Sequence, residues 1–361
     1  YYRSKAEMDS YIQIFTFIAR ITSQSESVAK ADIQGIGQYK ERIVSCARCL
    51  KKFSSNSWIV AGGNMTGDLL DSLMDYIRIL FHIDLIKICN MAEELKKHEK
   101  ELIGIYNTIG YIDSMVSIAS FRAGTSEWCV PVLHKAVSKR DITMEFTDLY
   151  HPLLDEPVKN SVNTGRSILI TGSNASGKSV FIKTAALNAI FAQTIYTVLA
   201  GSYSSCFFHI YSSMALRDDI FSNESYYIVE IKSLKRIIDK AAEADIPVLC
   251  FIDEVLRGTN TLERIASSSK ILECIADANA MCFAATHDLE LAKILSGRFD
   301  NYHFEEKVEE NNVVFDYKLR KGTTKTRNAI KLLEMIGYNQ QITKGAEKAA
   351  RFFLENGFWA V

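Results

Sequence analysis

The sequence predicts an α/β protein with a mostly parallel sheet flanked by helices, an all-α region before it and a short helical segment after it. Three observations predict this. Up to about residue 126 apolar residues recur at helical spacing. From about Trp128 short apolar runs alternate with helical stretches. A glycine-rich turn joins one of those runs to a helix.

Taken in order, Tyr11-Ile12, Ile14-Phe15, Phe17-Ile18 and Ile21 mark an amphipathic helix, and Leu69 to Ile112 continues the three-and-four spacing. Gly35, Gly37 and Gly62-Gly63 punctuate the region. The run Glu93 to Glu101 carries both signs of charge at helical spacing, the pattern of a solvated helix face. Strands follow at 142–146, 167–171, 206–211, 248–253 and 281–286, with helices at about 178–193, 224–244, 262–279 and 288–297 between them. Residues 302–307 and 313–319 flank Glu309-Glu310-Asn311-Asn312 as a hairpin, and helices over about 325–337 and 341–356 close the chain. The expected domains are 1–126, 127–322 and 323–361.

Composition narrows the function classes. The 361 residues are 48% hydrophobic, enough for about two domains with cores of their own. Lys plus Arg number 42 against 43 Asp plus Glu, which excludes a chain-wide positive field for nucleic acid and leaves only local patches. Eight cysteines are scattered, several in apolar runs such as Val248-Leu249-Cys250-Phe251, as suits reduced thiols in a cytoplasmic protein. Cys46 and Cys49 form the one close pair and read as helix-face residues, since no second pair completes a zinc site. No signal peptide is visible, and the apolar helix around 76–91 carries Arg78, Asp84 and Lys87, too much charge for a membrane span. The opening Tyr1 implies a piece of a longer chain.

The stretch Gly172-Ser173-Asn174-Ala175-Ser176-Gly177-Lys178-Ser179 fits G-x-x-x-x-G-K-[ST] between a predicted strand and a predicted helix. Its glycines let successive backbone N–H groups turn inward toward phosphate oxygens, and the following helix adds the positive end of its dipole. Lys178 is expected to bridge the β- and γ-phosphates of ATP, and Ser179 to ligate Mg²⁺. About 75 residues past that lysine, the apolar run Val248 to Ile252 ends in Asp253-Glu254, as a buried parallel strand delivering acids to a sheet edge would. Asp253 is expected to hold the metal, and Glu254 to orient or deprotonate the attacking water. Phe283-Ala284-Ala285-Thr286-His287 ends the next strand, placing His287 to sense the γ-phosphate. Gln193, late in the helix after the loop, is a possible contact to magnesium or water, with a plain helix-end glutamine as its alternative. Ser225 opens a helix after Asp218-Asp219, an anion site suited to the ATP of a second protomer.

These residues together resemble the ATPase end of the MutS family, within the ABC-type P-loop ATPases, over about residues 128–361. The resemblance rests on His151-Pro152 and Val158-Lys159-Asn160 leading into the loop, then Ala192-Gln193, Asp218-Asp219 with Ser225, Asp253-Glu254 with Arg257-Gly258-Thr259-Asn260-Thr261, and Ala285-Thr286-His287. It implies a homodimer with composite ATP sites, DNA handling, an adenine contact at Tyr317 and a dimer-forming segment from Ala329 onward. Ser173 stands where the family has proline, Asn223-Glu224 where it has Gly-Arg, and Tyr226 where it has threonine. An acid at Glu224 implies weaker ATP-driven closure. The family places its Phe-x-Glu mismatch wedge in a domain not expected within this piece, so mismatch reading is not expected of these residues. The alternative reading is a nucleotide-gated interaction module that signals without binding mismatches.

Overall fold

The computed structural model describes residues 37–57, 96–173, 176–214, 226–309, 312–323 and 329–358, with scattered single positions before residue 96. Contacts divide the chain into two units, Tyr1–Phe121 and Arg122–Val361. At the start of the second unit the Arg122 guanidinium donates to Thr197 Oγ1 at 2.8 Å and to the Tyr196 carbonyl at 3.0 Å, and lies over the Trp128 ring.

In the first unit, α1 (Gly37–Ser57) and α2 (Glu99–Ala123) bury Ile43, Ala47 and Ile105. A Cβ on Gly104 of α2 would stand 3.4 Å from Cys46 Sγ of α1, so glycine permits the close helix approach there. Tyr39 and Tyr111 stack with ring centroids 4.7 Å apart. The helix expected over 11–21, and the part of the Leu69 to Ile112 stretch before residue 96, fall almost wholly outside the described residues.

The second unit contains two sheets. Elements run β1 (Val132–His134), β2 (Met144–Leu149), β3 (Asn160–Thr164), β4 (Ser167–Thr171), α3 (Lys178–Thr194), β5 (Ser202–Cys206), β6 (His209–Ser213), α4 (Tyr226–Glu243), β7 (Val248–Asp253), α5 (Thr261–Asp277), β8 (Ala280–Thr286), α6 (Leu289–Ile294), β9 (Phe299–Glu309) and β10 (Asn312–Lys321). The larger sheet has the order β10-β9-β4-β8-β7-β6, parallel throughout except for the antiparallel edge pair β9/β10. Its central strands β4 and β8 are buried at every position, as strands covered on both faces must be. Successive residues serve opposite layers: Ile168 and Ile170 join Phe146, Phe181 and Phe304 on the α3 side, while Leu169 joins Leu234, Ile237, Leu272 and Ile275 of α4 and α5.

The smaller sheet, β1-β5-β2-β3, is mostly antiparallel and was not anticipated. It takes only Cys206 from the segment expected as a single strand over 206–211, while residues 209–211 fall in β6. The chain breaks at Phe207-Phe208, giving β5 to the small sheet and β6 to the large one. Helices α7 (Ala329–Met335) and α8 (Gln340–Asn356) end the described chain, with the Asn339 side chain accepting from the Gln341 N–H at the start of α8 and Gly357 closing it in a left-handed conformation.

Candidate phosphate site

The sheet order sets the site. β4 leads into the glycine-rich turn, β8 is its neighbour and β7 lies beyond, with Thr171 paired to Thr286 and Ala285 paired to Asp253. The turn and the acids therefore emerge at the same edge, about 10 Å apart by two strand spacings. Both glycines of the turn are conformationally required. Gly172 has φ 148°, and a Cβ there would meet Ser176 Oγ at 2.8 Å. Gly177 has φ 101°, and a Cβ there would meet the Tyr317 ring at 3.0 Å. Ser176 is buried and donates to the Ser173 carbonyl. Ser179 stands in the first turn of α3, partly exposed at the cleft described below. Asn174 and Ala175 lie outside the described residues.

Lys178 is 3% exposed, and its ammonium donates to the Gly172 and Ser173 carbonyls at 2.8 and 2.7 Å. Burial pulls its pKa below the ordinary lysine value, opposed by the charges of Glu254, Asp253 and Glu306. The lysine therefore senses both acids of the β7 edge. Glu306 of β9 is buried as well and accepts from Ser173 Oγ at 2.6 Å. Sequence reading missed it because the pairing joins residues far apart in the chain.

At the acid edge, Asp253 Oδ1 is buried with no hydrogen-bond partner. An orphaned carboxylate oxygen beside a phosphate-type loop fits a cation, and a magnesium ion takes only one or two protein carboxylates, the rest of its shell coming from phosphates and water. Glu254 Oε1 is 3.8 Å from His287 Nδ1, and its Oε2 is 3.0 Å from Arg257 Nε, without hydrogen-bond alignment. Glu254 (φ 58°) and Leu256 (φ 55°) are both left-handed, a strain of order 1–2 kcal/mol for each non-glycine residue. His287 is half-exposed at the tip of β8. Its neighbour Asp288 is fixed by Arg264 of α5 through two hydrogen bonds of 2.9 and 2.7 Å.

A cleft of about 480 Å³ adjoins the loop, lined among others by Tyr150, His151, Pro157, Ser179, Phe181 and Tyr317. That volume suits a small organic ligand. Tyr317 reaches it because the β9/β10 register shifts between Phe315 and Leu319, and Tyr317 takes φ 52° in the bulge. Asn160 clips the bulge, donating to the Tyr317 carbonyl and accepting from the Leu319 N–H.

Gln193 does not join the site. It lies at the opposite end of α3 from Lys178, roughly 20 Å away at 1.5 Å per residue. Its amide donates to the Phe208 carbonyl and accepts from the Phe208 N–H, so it clamps the β5–β6 turn, as the plain helix-end alternative has it. Ser225 lies outside the described residues, one position before α4. Among the described residues no helix is long and apolar enough to cross a membrane.

Comparison with known proteins adds an independent finding. The family model for MutS domain V matches residues 168–353, from β4 into α8. MutS protein homolog 4 of Homo sapiens is 30% identical over 276 residues, covering 70% of this chain and 28% of that protein. DNA mismatch repair protein MutS of Thermotoga petrophila is 28% identical over 278 residues, covering 74% and 34%. MutS protein homolog him-14 of Caenorhabditis elegans is 28% identical over 264 residues, covering 70% and 30%. The chain thus spans between 28% and 34% of the length of these relatives.

Proposed function

The chain belongs to the MutS family, and from that premise we propose that it is a magnesium-dependent ATPase that works as a homodimer and couples ATP binding and hydrolysis to a change in its grip on DNA. The observation that carries the reading is the convergence at one sheet edge of the Lys178 loop with Asp253, Glu254 and His287.

Each residue has a task the chemistry sets. The Gly172–Ser179 turn presents backbone N–H groups and the α3 N-terminus to the triphosphate. Lys178 exchanges two loop carbonyls for β- and γ-phosphate oxygens. Ser179 and Asp253 would hold magnesium, which when bound neutralises charge on those oxygens. Glu254 orients the attacking water and takes its proton. His287 faces Glu254 from the neighbouring strand and reads the presence of the γ-phosphate. Tyr317 and Pro157 give the cleft an apolar wall against adenine. Ser225 of one protomer meets the ATP of the other, which makes the site composite.

Alanine at Glu254 should leave nucleotide binding within about two-fold and lower turnover by 10²–10⁴, the usual share of a general base. Alanine at Lys178 should weaken ATP binding itself. Turnover unchanged in the Glu254 variant, measured by phosphate release, removes that residue from the chemistry. DNA-stimulated turnover with duplex, mismatched or branched DNA separates this reading from the nucleotide-gated signalling alternative, for which DNA should change nothing.

A further inference from the structure

The turn that carries Glu254 is held by a residue with no place in the chemistry so far. Glu230 of α4 is 2% exposed, a carboxylate on the helix face that otherwise buries Leu234, Ile237 and Ala241. Its Oε1 accepts from the Leu256 N–H, and its Oε2 is buried with no hydrogen-bond partner. Burial pushes its carboxyl above the ordinary glutamate range, with the Leu256 and Arg257 amides pulling the other way and the Glu254 charge adding to the rise. An acid kept at such a position is explained by what it holds.

What it holds is the strained part of the site. From Glu254 to Leu256 the chain makes two left-handed residues separated by Val255, and such a turn persists only where its surroundings over-determine it. Three other anchors act on its flanks: the Glu254 N–H donates to the Ala285 carbonyl, Ser268 Oγ donates to the Val255 carbonyl, and Val255 and Leu256 are buried in the core. The Leu256 amide at the second left-handed residue is satisfied by Glu230. Tyr227, one turn earlier on α4, packs against Gly258, where a Cβ would come within 3.3 Å of the ring. Helix α4 therefore clasps both the middle and the end of the turn.

We propose that Glu230 is the positioning residue for Glu254: by accepting the Leu256 amide it fixes the left-handed turn that aims the Glu254 carboxylate toward His287 and the phosphate loop. The inference rests on the ATPase reading for its kinetic consequence, and on the geometry of the turn alone for its structural one. Turnover, the KM for ATP, the affinity for a non-hydrolysable ATP analogue and amide exchange in the 253–258 segment are compared among the parent chain, Glu230→Ala, Glu230→Gln and Glu230→Leu. Glutamine keeps an oxygen acceptor, whereas leucine keeps the volume without it and stands in should the alanine variant not fold.

Alanine and leucine should lower kcat by about 10–100-fold, a part of what a general base supplies, with KM and analogue affinity within about two-fold and faster Leu256 exchange. Glutamine should restore both rate and protection. A kcat unaffected by alanine or leucine, a loss of analogue affinity in step with kcat, or glutamine as damaging as leucine would each overturn the proposal. If the parent chain hydrolyses no ATP, the ATPase reading fails, and the exchange measurement still decides: Leu256 protection unchanged in the leucine variant sinks the positioning role.

Discussion

At the scale of single residues the site is a set of charges held short of their partners. Lys178 rests on its own loop carbonyls, Asp253 keeps one oxygen unmatched, and Glu306 takes a hydrogen bond from Ser173. The last of these bears on affinity. A carboxylate beside the loop would repel the triphosphate proposed for it, and at an effective dielectric of about 20 one such charge several ångströms away is worth on the order of 1 kcal/mol. Glu306→Ala should therefore bind a non-hydrolysable ATP analogue roughly five-fold more tightly, read by titration calorimetry. Equal or weaker binding would mean that the acid faces away from the phosphates. The glycine-rich turn was legible in the sequence because its chemistry is local and its spacing fixed. Glu306, Glu230 and Arg264 were not, because each acts through a partner on another element. A faint trace of Glu230 did exist: it is the single acid at helical spacing among Tyr227, Leu234, Ile237 and Ala241.

At the scale of elements, two side chains decide how the helices meet the sheet. Arg264 and Asp288 are 13% and 8% exposed, so the pair is largely desolvated. Removing the arginine leaves a buried carboxylate uncompensated, and Arg264→Ala should lose about 3–5 kcal/mol of stability, measurable by urea unfolding, with His287 loosened as Asp288 loses its tether. Gln193 is the contrasting case. Its bidentate hold on Phe208 predicts that Gln193→Ala loses about 1–3 kcal/mol while turnover per folded molecule stays at the parent value. A large fall in turnover in that variant would favour the other reading, a contact to magnesium or water. The elements themselves were readable in proportion to their burial. β4 and β7 match the expected spans and β8 departs from its span by one residue at its start, because fully buried runs of Ile, Leu, Val, Phe and Ala leave little ambiguity. β1, β3 and β5 escaped because they are only three to five residues long and between them carry His, Asn and Ser, a composition that also reads as loop.

At the scale of the whole molecule, the proposed composite site makes activity a property of the dimer. Turnover per chain should rise with protein concentration and level off as protomers pair; a rate per chain that is flat across that range, with sedimentation showing a monomer, would leave each site complete on its own. The charge balance of 42 basic against 43 acidic residues implies that any DNA contact is local, so its salt dependence should be shallow compared with that of a strongly basic binder. One architectural fact constrains how such a machine can vary. A single strand, β8, separates the loop-bearing strand from the acid-bearing one, and β8 is buried along its entire length. The gap across which the proposed nucleotide would fit is thus a fixed gauge cut by backbone pairing. Side-chain changes at the rim can retune grip and timing, but no substitution there can widen the jaws.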